Sequence, residues 1–356
     1  GGIYVKELGA RLPVEFVVYD DRSDVETLIR MYEKLMVEDK VDFILGPCST
    51  GHYFAVYPVC DKYKYPLLGN TVGSVSLEKG APPLEKAPYF YAVLPPTVRY
   101  IPSYTKFYLE AKEKYGYQNV AIAYNDIDHG VENGTAEMED MKKAGFNIVL
   151  FEKYPIGATD LTPLALKIKE ANPDILIAWS YFDDGAVLMK NIMAVGFNPK
   201  IYYWSVGYGV LRAMGAVANG MMYMAWWHEN WPFPGDKEYQ EAHKAKYGIE
   251  SDNGGGTLGY SCGQILEQAI EKAGTLDREK VKKVLDTETF PTIVGNVYFK
   301  SYVEGGARLN YGTPIPMNQI QNAPAPPLIG GHEIIWTDPP GFTTAKPIIP
   351  KPSWPT

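Results

Sequence analysis

The hydroxyl pair Ser49-Thr50 stands in Gly46-Pro-Cys-Ser-Thr-Gly51, directly after the apolar run 41–45 and ahead of a helical stretch. Backbone N–H groups at a helix start, with two hydroxyls beside them, make convergent donors for a carboxylate or another polar group. Plain N-capping uses the same residue types, so the turn alone does not separate the two roles. Other reactive residues are less well arranged. His228 and Glu229 can both ligate a metal, but neighbours on an extended chain point opposite ways and no further ligand set is evident. No metal site is expected. Asp126 and Asp128 are two acids on one loop, and the chain has no GxSxG, HExxH or P-loop motif. The Asn253-Gly-Gly-Gly256 run lacks the preceding strand and the GxGxxG spacing of a dinucleotide site. Neither an enzyme nor a bound cofactor is expected.

The elements that must hold these residues alternate. Strand-like runs at 14–19, 41–45, 89–94, 119–124, 148–151, 175–179 and 200–204 are separated by amphipathic stretches at 25–37, 52–63, 104–114, 130–144, 161–170 and 185–195. Short apolar runs alternating with helices of ten or more residues imply parallel sheets covered on both faces. The fold class is α/β. At 356 residues the chain suits two lobes rather than one core.

With 46% hydrophobic and 21% charged residues the chain reads as a globular protein, and no uninterrupted apolar span reaches membrane length. A net charge of −8 without a Lys/Arg cluster argues against nucleic acid or anionic lipid as partners. Three cysteines, Cys48, Cys60 and Cys262, form no CxxC pair and are read as buried thiols.

Several local patterns resemble the type I periplasmic binding proteins, in particular the leucine/isoleucine/valine-binding branch that serves ABC importers. They are Tyr19-Asp20-Asp21, Gly46 to Gly51, Ala194-Val195-Gly196-Phe197, Leu258-Gly259-Tyr260-Ser261-Cys262-Gly263-Gln264 and the segment 290–299. Their order covers nearly the whole chain. Family members begin with a strand, a loop and a long helix ending in a Gly-Gly-Ile-like turn, whereas this sequence starts at that turn. The resemblance therefore implies a segment ahead of Gly1.

It also implies two Rossmann-like lobes with parallel sheets joined by a three-segment hinge, at 95–96, 226–234 and 314–318. Residues 1–97 and 233–312 are expected in lobe one and residues 98–232 and 313–338 in lobe two. The tail 339–356 is read as an extended strap or a flexible end. A small-molecule ligand should lie at the carboxyl ends of the strands. That selects Ser49, Thr50, Asn70, Thr71, Gly73 and Ser74 in lobe one, and His129, Tyr181, Phe182 and residues 205–208, with Val206 and Tyr208, in lobe two. Relatives that bind amino acids hold the ammonium on an acid whose position here is Val206, and Asp183 or Asp184 lies one loop away. The alternative for those two is a solvated first turn of the helix after them. Tyr53, Tyr181, Phe182, Tyr203, Trp204 and Tyr208 could wall an apolar ligand or fill the core.

The implied role is capture of a small carboxylate-bearing molecule and its delivery to ABC transporter permease subunits. The implied location is periplasmic or extracellular, with a lipid anchor possible upstream and no membrane insertion of this chain. A ligand-sensing or assembly module on the same fold is the alternative. A transmembrane or signalling segment after Thr356 would favour sensing, and a cleavable signal or lipidated cysteine ahead of Gly1 would favour transport.

Overall fold

The computed structural model describes residues 2–81, 84–249, 251, 254–323 and 331–355; the side chain of Tyr208 is also outside the description, as is Asn253. The chain divides into two compact units. The first comprises Gly1–Pro96, Pro232–Lys237 and Gly255–Thr313, and the second Thr97–Trp231, Glu238–Gly254 and Pro314–Thr356. The chain thus passes between units at five points, because the segment 238–254 belongs with the second unit.

The first unit is built on a five-stranded sheet in the order Phe299–Lys300, Arg308–Asn310, Phe90–Ala92, Leu67–Gly69, Ile44–Leu45. All its pairings are parallel except that between Phe299–Lys300 and Arg308–Asn310. Helix Val25–Val37 forms where the pattern predicts. Asp24 caps it by accepting from Thr27 N, and its buried stripe is Leu28, Tyr32 and Met36. These pack in one core with Ile44, Tyr53, Val56, Leu67 and Phe90.

Residues 14–19 are not the expected strand. They make no ladder among the described residues, and Phe16 and Val18 are 74% and 80% exposed. A strand is defined by its partner, and the sheet's last strand on that side is the two-residue Ile44–Leu45. Apolar alternation without a neighbour to pair with leaves an extended, solvated chain.

The second unit carries a seven-stranded sheet in the order His332–Asp338, Ile315–Ile320, Met222–Tyr223, Ile201–Trp204, Ile175–Trp179, Asn119–Asn125, Asn147–Tyr154. The five strands from 119 to 223 are parallel, and the two late strands are antiparallel. Ile175–Trp179 is wholly buried, as a continuous apolar run in a parallel sheet should be. The proline-rich end lies on this unit: Trp354 Nε1 donates to Phe197 O at 2.7 Å and Lys351 N to Lys200 O at 2.7 Å. No helix among the described residues is long and apolar enough to cross a membrane.

Candidate functional site

In the first unit, two loops leave neighbouring parallel strands. Leu45 pairs with Leu68, so the turn 46–49 and the loop 70–74 emerge side by side at the carboxyl ends. Tyr53 holds both. Its phenol donates to Asn70 Oδ1 at 2.6 Å and accepts from Asn70 N at 2.9 Å. A Cβ on Gly46 would lie 2.2 Å from the Tyr53 ring, and one on Gly69 would lie 3.0 Å from it, so both strand ends rest on that ring as glycines. Tyr53 is fully buried and is a core support, not a ligand wall.

Ser49 occupies the N-cap position of helix Thr50–Lys62 at φ 80° and ψ 134°, yet its side chain makes no capping bond. Capping alone does not account for this serine. A non-glycine residue at such a backbone angle is strained, and strain of this kind concentrates where a loop is held for a task. Thr50 is buried in the first turn, and the buried Thr71 Oγ1 lies beside the Tyr53 phenol. Asn70 and Ser74 are already engaged. Asn70 Nδ2 donates to Gly255 O at 3.2 Å, and Ser74 Oγ caps its own short helix by accepting from Ser76 N at 3.1 Å. In this unit Ser49, Thr71 and the first turn of helix Thr50–Lys62 stand at the carboxyl ends of these two strands.

In the second unit, three consecutive parallel strands deliver three loops. Tyr124 pairs with Trp179 and Ala178 with Trp204, which sets the loops after 125, 179 and 204 in a row. Ser205 joins them. Its hydroxyl donates to Ser180 O at 3.0 Å and accepts from Ser180 N at 3.1 Å, while His129 Nε2 lies 3.1 Å away. The imidazole stacks on Tyr181 with centroids 4.8 Å apart and meets Trp179 edge-on at 5.7 Å. Burial pushes His129 down to about 4, so it is neutral at physiological pH.

His129 reaches this place because its helix, Asp128–Lys143, buries a polar stripe of His129, Asn133 and Glu137 four residues apart. Gly130 lets that helix sit against Asn125, whose carbonyl oxygen a Cβ would approach to 2.1 Å. Tyr181 is half-buried at the head of helix Phe182–Ala194, and its carbonyl accepts from Trp204 Nε1 at 3.0 Å. Trp204 and Tyr203 are fully buried core residues. Phe182 is 39% exposed on the same loop, and Val206 is half-buried after Ser205. Tyr208 opens the next helix, Tyr208–Ala213.

The two acids beside this loop divide. Asp183 is exposed, whereas Asp184 is buried and accepts from Tyr154 Oη at 2.9 Å and Asn125 Nδ2 at 3.1 Å. A solvated first turn describes Asp183 only. Asp184 is a structural carboxylate bridging a strand and a helix, and sequence reasoning missed both that network and the Ser180–Ser205 tie. The helical phase could have found it, since Asp184 shares the buried face with Leu188 and Ile192.

A periplasmic binding protein family model matches residues 1–306. The chain belongs to the periplasmic binding protein family. A Leu/Ile/Val-binding protein homologue of Brucella suis, homolog 7, is 28% identical over 187 residues, which are 49% of this chain and 47% of that protein. The match thus spans about half the length of this curated relative. Two solved structures share the fold. The branched-chain amino acid transporter substrate-binding protein LivJ of Streptococcus pneumoniae, in complex with isoleucine, is 18% identical with a TM-score of 0.74, covering 94% of this chain and 89% of its own. A solute-binding protein of an ABC transporter from R. palustris, in complex with 4-hydroxybenzoate, is 18% identical with a TM-score of 0.73, covering 95% and 87%. Together these identify a type I periplasmic binding protein of the leucine/isoleucine/valine-binding kind. The family is one of extracytoplasmic solute-binding proteins, not enzymes.

Proposed function

We propose that this protein is the solute-binding component of an ABC importer, and that its ligand is a small aromatic or aliphatic acid without an ammonium group. The ligand is captured between the two lobes by hinge closure and delivered to the permease subunits, at the periplasmic or outer cell surface. In this reading Ser49, Thr71 and the amides of helix Thr50–Lys62 take the carboxylate. His129, Tyr181 and Phe182 cover the rest of the molecule.

The observation that carries the choice of ligand is the fate of the acids around the second unit's loops. Val206 stands where an ammonium-binding acid is expected, and Asp184 is committed to Tyr154 and Asn125. A buried ammonium without a carboxylate partner costs several kcal/mol. A neutral imidazole stacked on a tyrosine instead suits an aromatic ring with a hydroxyl or a second polar group. The relatives' own ligands, isoleucine in one and 4-hydroxybenzoate in another, bracket the alternatives.

Thermal shift followed by calorimetry tests the reading, with benzoate, 4-hydroxybenzoate, phenylacetate and branched 2-oxo acids set against leucine, isoleucine and phenylalanine. A ligand that binds only the folded state raises stability by RT ln(1 + [L]/Kd). Stabilisation by the acids and not by the amino acids is the expected result. Stabilisation by amino acids alone would overturn the choice of ligand, and no stabilisation by any of them would overturn the solute class.

A further inference from the structure

Apart from those loops, the second unit brings together His228, Glu229 and His332. One ligand atom from each lies within 4.8 Å of the others, and both imidazoles are buried. The expectation that His228 and Glu229 diverge is overturned because the chain is not extended there. Trp231 N donates to His228 O at 3.0 Å, closing a turn that swings Glu229 back beside its neighbour. His332, the first residue of strand His332–Asp338, arrives from far along the chain.

Ligand-type atoms of the three side chains lie close together. Glu229 Oε2 lies 2.7 Å from His332 Nε2 and 3.7 Å from His228 Nδ1. Glu229 Oε2 and His332 Nε2 are buried against each other at hydrogen-bonding distance, and none of Glu229 Oε2, His332 Nε2 and His228 Nε2 makes a well-aligned bond elsewhere. Buried polar atoms with so few partners are uncommon. On the outer side, His228 Nε2 is 3.9 Å from Glu333 Oε2, and Thr344 Oγ1 donates to that carboxylate. A carboxylate behind a ligating imidazole is the usual second support of a metal site.

We propose that His228, Glu229 and His332 bind a divalent transition-metal ion, with zinc the best match to two imidazoles and a carboxylate. His228 ligates through Nδ1, which exchanges the amide of Asn230, 3.1 Å away, for the ion, while its Nε2–H turns to Glu333. Tetrahedral ligand atoms sit about 3.3 Å apart for bonds of about 2.0 Å, so the three side chains need only small shifts to close on the ion. The remaining position opens on a cavity of about 160 Å³ whose lining includes Arg212, Trp227, Gln240 and Lys244 beside Glu229 and His332.

Calorimetric titration of zinc chloride into the chelator-treated full chain tests the site, with X-ray absorption on the loaded protein. The expected result is one zinc per chain, a first shell of nitrogen and oxygen with two imidazoles, and at least tenfold weaker binding in Glu229→Gln and in His332→Asn. His243→Asn, outside the cluster, should bind as the parent does. Each variant's circular dichroism must match the parent's; zinc affinity unchanged in both cluster variants, no saturable zinc binding, or a shell without imidazole would overturn the proposal.

Discussion

His129 Nε2 is a hydrogen-bond donor to Ser205 Oγ, at 3.1 Å. The direction follows from Ser205, whose single hydroxyl proton goes to Ser180 O while its oxygen accepts from Ser180 N. The neutral imidazole is therefore the Nε2–H tautomer, with its Nδ1 lone pair toward Asn133 Nδ2 at 3.5 Å.

Burial lowers His129 from 6.5 to about 4, so the unfolded chain binds the extra proton between those values. Its stabilising contribution is complete above pH 6.5 and is lost as pH falls toward 4, on the order of 3 kcal/mol across that window. His129→Gln should flatten this part of the stability curve, measured by denaturant unfolding at a series of pH values. An unchanged slope would mean that other groups set it.

Ser49→Ala should weaken a bound carboxylate by about 1 to 3 kcal/mol, or roughly 5- to 150-fold in Kd, by removing a charge-assisted bond. Tm, measured alongside, separates the loss of this bond from a loss of fold. Calorimetry with the acid found in the ligand screen checks the first part, and equal affinity in parent and variant removes Ser49 from the site.

Glu137 is fully buried, neither carboxyl oxygen has a hydrogen-bond partner, and burial raises its pKa well above the usual range. With the folded pKa raised, its contribution is fully present below the unfolded pKa of 4.5 and is lost as pH rises through the folded value. Glu137→Gln should gain on the parent as pH increases, with a larger difference in Tm at pH 8 than at pH 5. Parallel curves would show that Glu137 does not titrate across that range.

Gly46→Ala would drive a methyl into the Tyr53 ring. Overpacking of this kind costs about 1 to 3 kcal/mol. Because Tyr53 also positions Asn70, ligand affinity should fall together with Tm, and a variant that loses stability while binding as before would separate the ring from the loop it holds.

How much the chain disclosed depended on the reach of each interaction. Helix Val25–Val37 and strand Ile175–Trp179 could be read to the residue, because a period of 3.6 or an unbroken apolar run is a local property. Residues 14–19 misled because pairing is not local. The positions of Ser49, Thr71 and Tyr181 in loops after strands, and of His129 beyond the strand 119–124, were legible, whereas the roles of Tyr53 and Asp184 depend on which face of a helix is covered. Strand alternation gave no warning that a turn would fold Glu229 back or that His332 would meet it. A buried cluster assembled from distant segments has no period to betray it.

The Ser205 hydroxyl has a further consequence, since it binds into one piece loops that leave separate strands. Their conformational freedom is surrendered when the domain folds, before any solute arrives. At the site proposed for the solute, association then carries little loop-ordering entropy, and the heat of binding should report mainly contacts and displaced water. A template of this kind refuses a molecule of the wrong outline where a softer surface would have reshaped itself around it.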